Sequence, residues 1–152
     1  MRNMLEQFWQ WLGKDPEKYA EEGLEYLFNH MEYDFPGSCV LLKMAYDIVK
    51  KDITTYDEIY DLLTEMAIEH ESELILNFIV DNSSDEQIQK IVAIGITHLQ
   101  PNARWQLAEI LYRKRPSEYT HYLKKLSEDA HPYVRQRANN CIELLKKESN
   151  NA

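Results

Sequence analysis

The stretch Pro132-Tyr-Val-Arg-Gln-Arg-Ala-Asn-Asn-Cys-Ile-Glu-Leu-Leu145 decides how the chain is read, because its apolar pattern recurs upstream at a fixed interval. Moved back by 31 residues, Val134, Ala138, Cys141 and Ile142 fall on Ala103, Leu107, Ile110 and Leu111, while Pro132 falls on Pro101 and Arg135 on Arg104. A second shift reaches Ser72, Leu76, Ile79 and Val80, and a third reaches Leu41, Ala45, Ile48 and Val49. Of the sixteen stripe positions, the arginines and prolines aside, only Ser72 is polar. Within each copy the spacing i, i+4, i+7, i+8 is that of one helix face. An ungapped period of this length points to stacked helical hairpins.

Composition agrees with that class. The chain has 152 residues, 44% hydrophobic and 28% charged, with four glycines and five prolines. So few turn residues leave short, Gly-poor connections between the apolar stripes, which predicts an all-α protein. No stretch approaches the roughly 20 apolar residues of a membrane span, and Met1 to Gly13 is amphipathic rather than signal-like. The expected location is the cytoplasm, with no membrane partner. Cys39 and Cys141 are too few for a disulfide framework or a four-ligand metal site, and no cofactor is implied. Cys141, on the apolar stripe, is expected to be a small buried residue. The net charge of −9 is divided unevenly: residues 1–100 carry 20 acidic and 7 basic side chains, residues 101–152 carry 6 and 10. This distribution repels phosphates along the first two thirds of the chain, disfavours nucleic acid and suits a basic partner.

Taken in order, Leu5, Phe8, Trp9 and Leu12 form one face of a short helix over residues 3–13 that ends at Gly13 and caps the array. Asp15 and Pro16 then open a first hairpin, 16–50, whose first helix carries Leu24, Leu27, Phe28 and Met31. A second hairpin, 55–81, starts with the capping box Thr55-x-x-Glu58, and a third, 84–114, with Ser84-x-x-Gln87. The fourth, 116–147, opens at Pro116, and residues 148–152 read as a frayed tail. From the leading apolar residue of each first helix to its partner in the second, the offsets are 17, 13, 15 and 15, against an invariant 31 between second helices. Register is kept where repeats touch and relaxed in the hairpin loops, as stacked pairs require.

The segment Leu126-Ser-Glu-Asp129-Ala-His-Pro132-Tyr-Val134-Arg135-x-x-Ala138 resembles a HEAT repeat of the armadillo-like α-solenoid family. That family places an Asp between the helices, then Pro, then Val-Arg opening the second helix and Ala one turn later. The resemblance implies a right-handed α-α superhelix of about four hairpins behind an N-terminal capping helix. It also implies a hydrogen-bonded ladder made by Asp129 and Arg135, with Arg104 at the matching position one copy earlier. The two N-terminal copies carry Glu73 and Leu42 where the Arg would stand, so periodicity alone supports them.

In such arrays the second helices line the concave face. At 100° per residue from Ala103, Trp105 lies at about 200° and Tyr112 at about 180°, opposite the core stripe. Their 31-residue equivalents are Gln136 and Glu143, Leu74 and Asp81, and Lys43 and Lys50; one turn on from the Trp105 position come Tyr46, Asn77 and Asn139. This mix of aromatics, amides and both charge signs suits protein recognition centred on Trp105 and Tyr112. Catalytic signals are weak. His30, His70, His98, His121 and His131 show no metal spacing and read as helix-end or surface residues. Glu65, Glu69, Glu71 and Glu73 read as a solvated helix face. The expectation is a non-catalytic interaction module, monomeric or weakly self-associating, one version being an immunity or inhibitor protein for a basic toxin. The alternative is an enzyme on the same scaffold. Alkylpurine DNA glycosylases use Trp, Asp and Arg in a basic cleft, which Trp105, Asp81 and Arg104 imitate, but the acidic N-terminal two thirds opposes such a cleft.

Overall fold

The computed structural model describes residues 1–22 and 34–152. The expected stripe of Leu24, Leu27, Phe28 and Met31, and His30 beside it, lies outside the described residues. Among the described residues the regular elements are α-helices: α1 (Arg2–Leu12), α2 (Pro16–Glu22), α3 (Ser38–Val49), α4 (Tyr56–Ile68), α5 (Leu74–Asn82), α6 (Asp85–Gly95), α7 (Pro101–Lys114), α8 (Tyr119–Leu126) and α9 (Pro132–Asn150). None of them is long and apolar enough to cross a membrane.

The helix boundaries have local causes. Gly13 stops α1 in the left-handed region at φ 74°, where a side chain would be strained, and its N–H returns to the Trp9 carbonyl at 3.0 Å. The Lys18 N–H donates to the Asp15 carboxylate at 2.7 Å, capping α2 ahead of Pro16. Thr55 with Glu58, and Ser84 with Gln87, form complete capping boxes on α4 and α6. Pro101 and Pro132 occupy the first turns of α7 and α9, where no N–H is missed. His131 caps α9, its Nδ1 accepting the Tyr133 N–H at 3.2 Å.

Along the chain the even-numbered and odd-numbered helices separate. α3 packs on α5, α5 on α7 and α7 on α9, so the helices carrying the 31-residue stripe form one row. α4 and α6 pack behind that row, and α7 also touches α4, α6 and α8. One apolar cluster runs from Ala45 and Ile48 through Leu62, Leu76 and Leu107 to Val134 and Cys141. A second gathers Leu5 and Phe8 of α1 with Phe35, Leu41 and Ile68, and buries Tyr19 edge-on against Phe8. The stripe residues are buried, except that Val80 and Ile142 are half-buried and Ser72 is exposed. Ser72 falls in the turn before α5, which starts two residues later and so loses the first position of the repeat. The expected frayed tail is also corrected: α9 continues through Asn150, because Glu148 on that last turn accepts the Tyr112 hydroxyl at 2.6 Å and pairs with Arg115.

Gly95 marks a close approach of α6 to α7 behind the row. A Cβ there would lie 2.6 Å from Leu107 Cδ1 and 3.3 Å from Leu63 Cδ1. Gly95→Ala is therefore expected to destabilise by about 1–2 kcal/mol through overpacking, and Leu107→Ala by about 3 kcal/mol through the cavity left behind. In the Leu107→Ala background the added methyl enters that cavity and the helix gains propensity, so Gly95→Ala becomes stabilising by up to about 1 kcal/mol. Urea unfolding of the four proteins reads this change of sign.

Candidate functional site

The row α3–α5–α7–α9 carries the side chains expected to form a recognition surface. Lys43, Asp81, Gln136, Asn139 and Glu143 are exposed, Leu74 is 44% exposed, and Tyr46, Asn77 and Tyr112 are half-buried. Contacts between neighbouring helices tie several of them together. The Tyr46 ring of α3 stacks on Phe78 of α5 with centroids 4.1 Å apart, and Lys50 Nζ lies 5.6 Å from the same Phe78 ring. Arg113 of α7 donates to the Asn77 side-chain oxygen at 2.7 Å. Tyr112 donates to Glu148 of α9, a bond that raises the phenol's pKa because ionisation would set two negative charges side by side.

Trp105 does not belong to this surface. It is 5% exposed and lies within the main cluster. Its indole N–H donates to Asn102 Oδ1 at 3.1 Å, Tyr133 meets it edge-on at 5.8 Å, and the Arg137 guanidinium lies 4.7 Å from its ring centroid, itself paired with Glu109. A helix with one buried and one wet side would expose Trp105, and α7 is not such a helix. α7 has helices on several sides, and the direction opposite Ala103 at Trp105 is where α9 packs.

The ladder residues meet around α7 and α9. Arg104 binds the Asp129 carboxylate in bidentate fashion, Nε to Oδ2 at 2.8 Å and Nη2 to Oδ1 at 3.1 Å, and its Nη1 donates to the carbonyls of His98 at 2.6 Å and Leu99 at 3.1 Å. Arg135 repeats the second half of this arrangement, donating to the carbonyls of Asp129 at 2.7 Å and Ala130 at 3.0 Å, 31 residues further on. His98 occupies the place that Asp129 takes in the next copy. Its Nδ1 accepts the Gln100 N–H at 3.0 Å, as Asp129 accepts the His131 N–H at 2.8 Å. The imidazole Nε2 faces Thr64 Oγ1 at 3.1 Å, and burial pushes its pKa down to about 4, so it works as a neutral ring. His98 and His70 lie near helix ends as expected, but both are buried.

Of the four acids expected on a solvated face, Glu71 is exposed and Glu73 half-buried, but Glu65 and Glu69 are buried. Asp57, Asp61, Glu65 and Glu69 repeat at i, i+4 and form a straight ridge, of which the last three are buried. Arg2 of α1 covers the start of the ridge, its Nε 2.8 Å from Asp61 and its Nη2 3.7 Å from Asp57. Glu69 caps α5, accepting the Leu74 N–H at 3.1 Å and the Ile75 N–H at 3.0 Å across the turn in which Glu73 adopts φ 52°. Glu65, 3% exposed, has one carboxyl oxygen, Oε2, with no hydrogen-bond partner. Burial raises the Glu65 pKa well above the usual range and pushes Glu69 up to about 7, the α5 amides opposing the shift at Glu69. Both line a cavity of about 120 Å³ with Phe8, Phe35, Ser38, Cys39, Leu41, Leu42 and Leu74. The four-residue spacing of the acids marks one helix face in the sequence, but spacing alone does not show that α1 covers that face beyond Asp57.

These shifts give a test of opposite signs. Between the ordinary carboxyl value of 4.5 and about 7, folded Glu69 holds a proton that the unfolded chain releases, so its contribution to stability is lost as pH rises through that window. For His98 the contribution is lost as pH falls from 6.5 towards about 4. Glu69→Gln removes the first effect and keeps the second. Between pH 7 and pH 5 the variant is expected to lose about 2 kcal/mol of stability relative to the wild-type trend, read by urea unfolding across that range. Comparison with protein-family models, with curated proteins and with solved structures finds no match to this chain.

Proposed function

We propose that this chain is a non-catalytic protein-protein interaction module, a short array of about four HEAT-like hairpins in a right-handed superhelix capped by α1, and that its second helices offer one face to a basic protein. The observation that carries this reading is the continuous row α3–α5–α7–α9, whose outward stripe mixes aromatic, amide and charged side chains held in register by cross-helix contacts. Tyr46, Leu74 and Tyr112 supply the apolar and aromatic area that anchors a partner, and Lys43, Asn77, Asp81, Gln136, Asn139 and Glu143 supply directional groups around it. The acidic balance of residues 1–100 favours a partner of opposite charge and speeds its approach. An immunity or inhibitor protein that neutralises a basic toxin such as a nuclease is the concrete form of this function. Two unpaired thiols fit the reducing cytoplasm we assign to it. Enclosure of Trp105 weighs against the glycosylase alternative, since that ring has no free face on which to stack a base.

Charge reversal at Asp81→Arg together with Glu143→Arg, both on the row, tests the proposal against Asp85→Arg with Glu86→Arg, both exposed on α6. Affinity capture read by mass spectrometry is expected to recover basic proteins with the wild type and the α6 variant, and to lose them about tenfold or more with the row variant. Equal recovery by all three would reject the row as the binding face.

A further inference from the structure

The row and the acidic ridge meet at one place. Leu74, exposed on the row side of α5, also lines the cavity whose inner wall holds Glu65 and Glu69. The cavity is far smaller than the roughly 300–1,000 Å³ of small-molecule sites, and its size matches a single side chain. Six of its lining residues, Phe8, Phe35, Leu41, Leu42, Ile68 and Leu74, are apolar. Along the ridge of α4 the acids come in two pairs, and among the described residues only the first pair has a cation: Arg2 serves Asp57 and Asp61. Among the described residues no lysine or arginine lines the cavity where the second pair stands. The amides of Leu74 and Ile75 satisfy Glu69, whereas Glu65 Oε2 is enclosed and has no donor. An anionic occupant would meet two carboxyl groups, and a hydrocarbon would leave Glu65 unanswered. A chain of methylenes ending in an ammonium group satisfies both the walls and the end.

We infer that this cavity is an anchor subsite for an aliphatic ammonium group, the side chain of a lysine presented by the basic partner, with its stem along Phe8, Leu42 and Leu74 and its charge at Glu65 and Glu69. The inference rests on the protein-binding reading for the source of the lysine, and the pocket chemistry is testable without any partner. Burial raises both carboxyl groups above their usual range, and an ammonium ion beside them favours their ionised forms, so affinity rises with pH. The Cys39 thiol on α3 also lines the cavity, and Glu73 ahead of α5 adds negative charge beside Glu69; the nearest cation on the covering helix α1, Arg2, is engaged by Asp57 and Asp61.

The probes are pentylammonium chloride and pentan-1-ol, titrated into the full chain at matched ionic strength and followed by amide chemical shifts. Pentylammonium is expected to shift the amides of α3 and the α4–α5 turn saturably, to bind at least about tenfold more tightly than pentanol at pH 8, and to bind more tightly at pH 8 than at pH 6. Glu65→Gln is expected to abolish the ammonium preference while pentanol binding persists; the wild-type pH dependence provides the same check without a variant. Pentanol binding as tightly as pentylammonium, an affinity flat with pH, or no saturable shift at the pocket would overturn the inference. None of those results would alter the capture experiment on Asp81 and Glu143, so the two readings fail separately.

Discussion

Arg104 is fixed from two directions at once, and the register of the row depends on it. Its fork grips Asp129 across the gap to α9, and its remaining nitrogen closes on the carbonyls of His98 and Leu99 in the loop that delivers its own helix. The pair is largely shielded from water, with side chains 14% and 8% exposed. Each partner would be costly to leave alone in that setting. The arrangement ties the loop before α7 to the loop before α9, and so sets where α9 lies along α7. Packing then follows from that placement: Tyr133 and Arg137 are brought over Trp105, Cys141 over the Ala108 carbonyl, and Glu148 beside Tyr112.

The same loop is built a second time with different chemistry. One copy earlier the position of Arg104 is taken by Glu73, and a carboxylate at residue 98 would have no guanidinium to meet. His98 supplies the required acceptor for the Gln100 N–H without a charge, and Thr64 and the Tyr60 carbonyl receive its other nitrogen. Glu69 substitutes in another way, reaching from the end of α4 to cap α5 where no Ser, Thr or Asp stands at the N-cap. Local contacts of this kind hold the helices in place where the Asp and Arg of the last copy are absent. They also leave ionisable groups buried, and the acidic pocket beside α5 is a product of that.

Most of the helical framework was legible in the chain itself. Gly13, Thr55 with Glu58, Ser84 with Gln87, Pro101 and Pro132 mark helix ends by mechanisms that act within a few residues, and the 31-residue stripe identifies which faces are buried. What failed were inferences that need the neighbours of a helix. Trp105 was placed outside because a helical wheel knows one core direction, whereas α7 is packed by α4, α5, α6, α8 and α9. Glu65 and Glu69 were placed in water because charge was read without its covering element, α1. Ser72 kept the period but not the helix, since its turn begins α5 two residues late. The tail was judged by its polarity, although Glu148 on its last turns is held by Tyr112 and Arg115.

A double-mutant cycle on Arg104 and Asp129 tests the constraint on which this account rests. Arg104→Met, Asp129→Leu and the pair together would be unfolded in urea alongside the wild type. If the two side chains lock α7 to α9, each single change is strongly destabilising, the double change costs much less than their sum, and the coupling is about 2 kcal/mol. Additive effects, to within about 0.5 kcal/mol, would mean that the register of the row is set by apolar packing alone and would contradict the account.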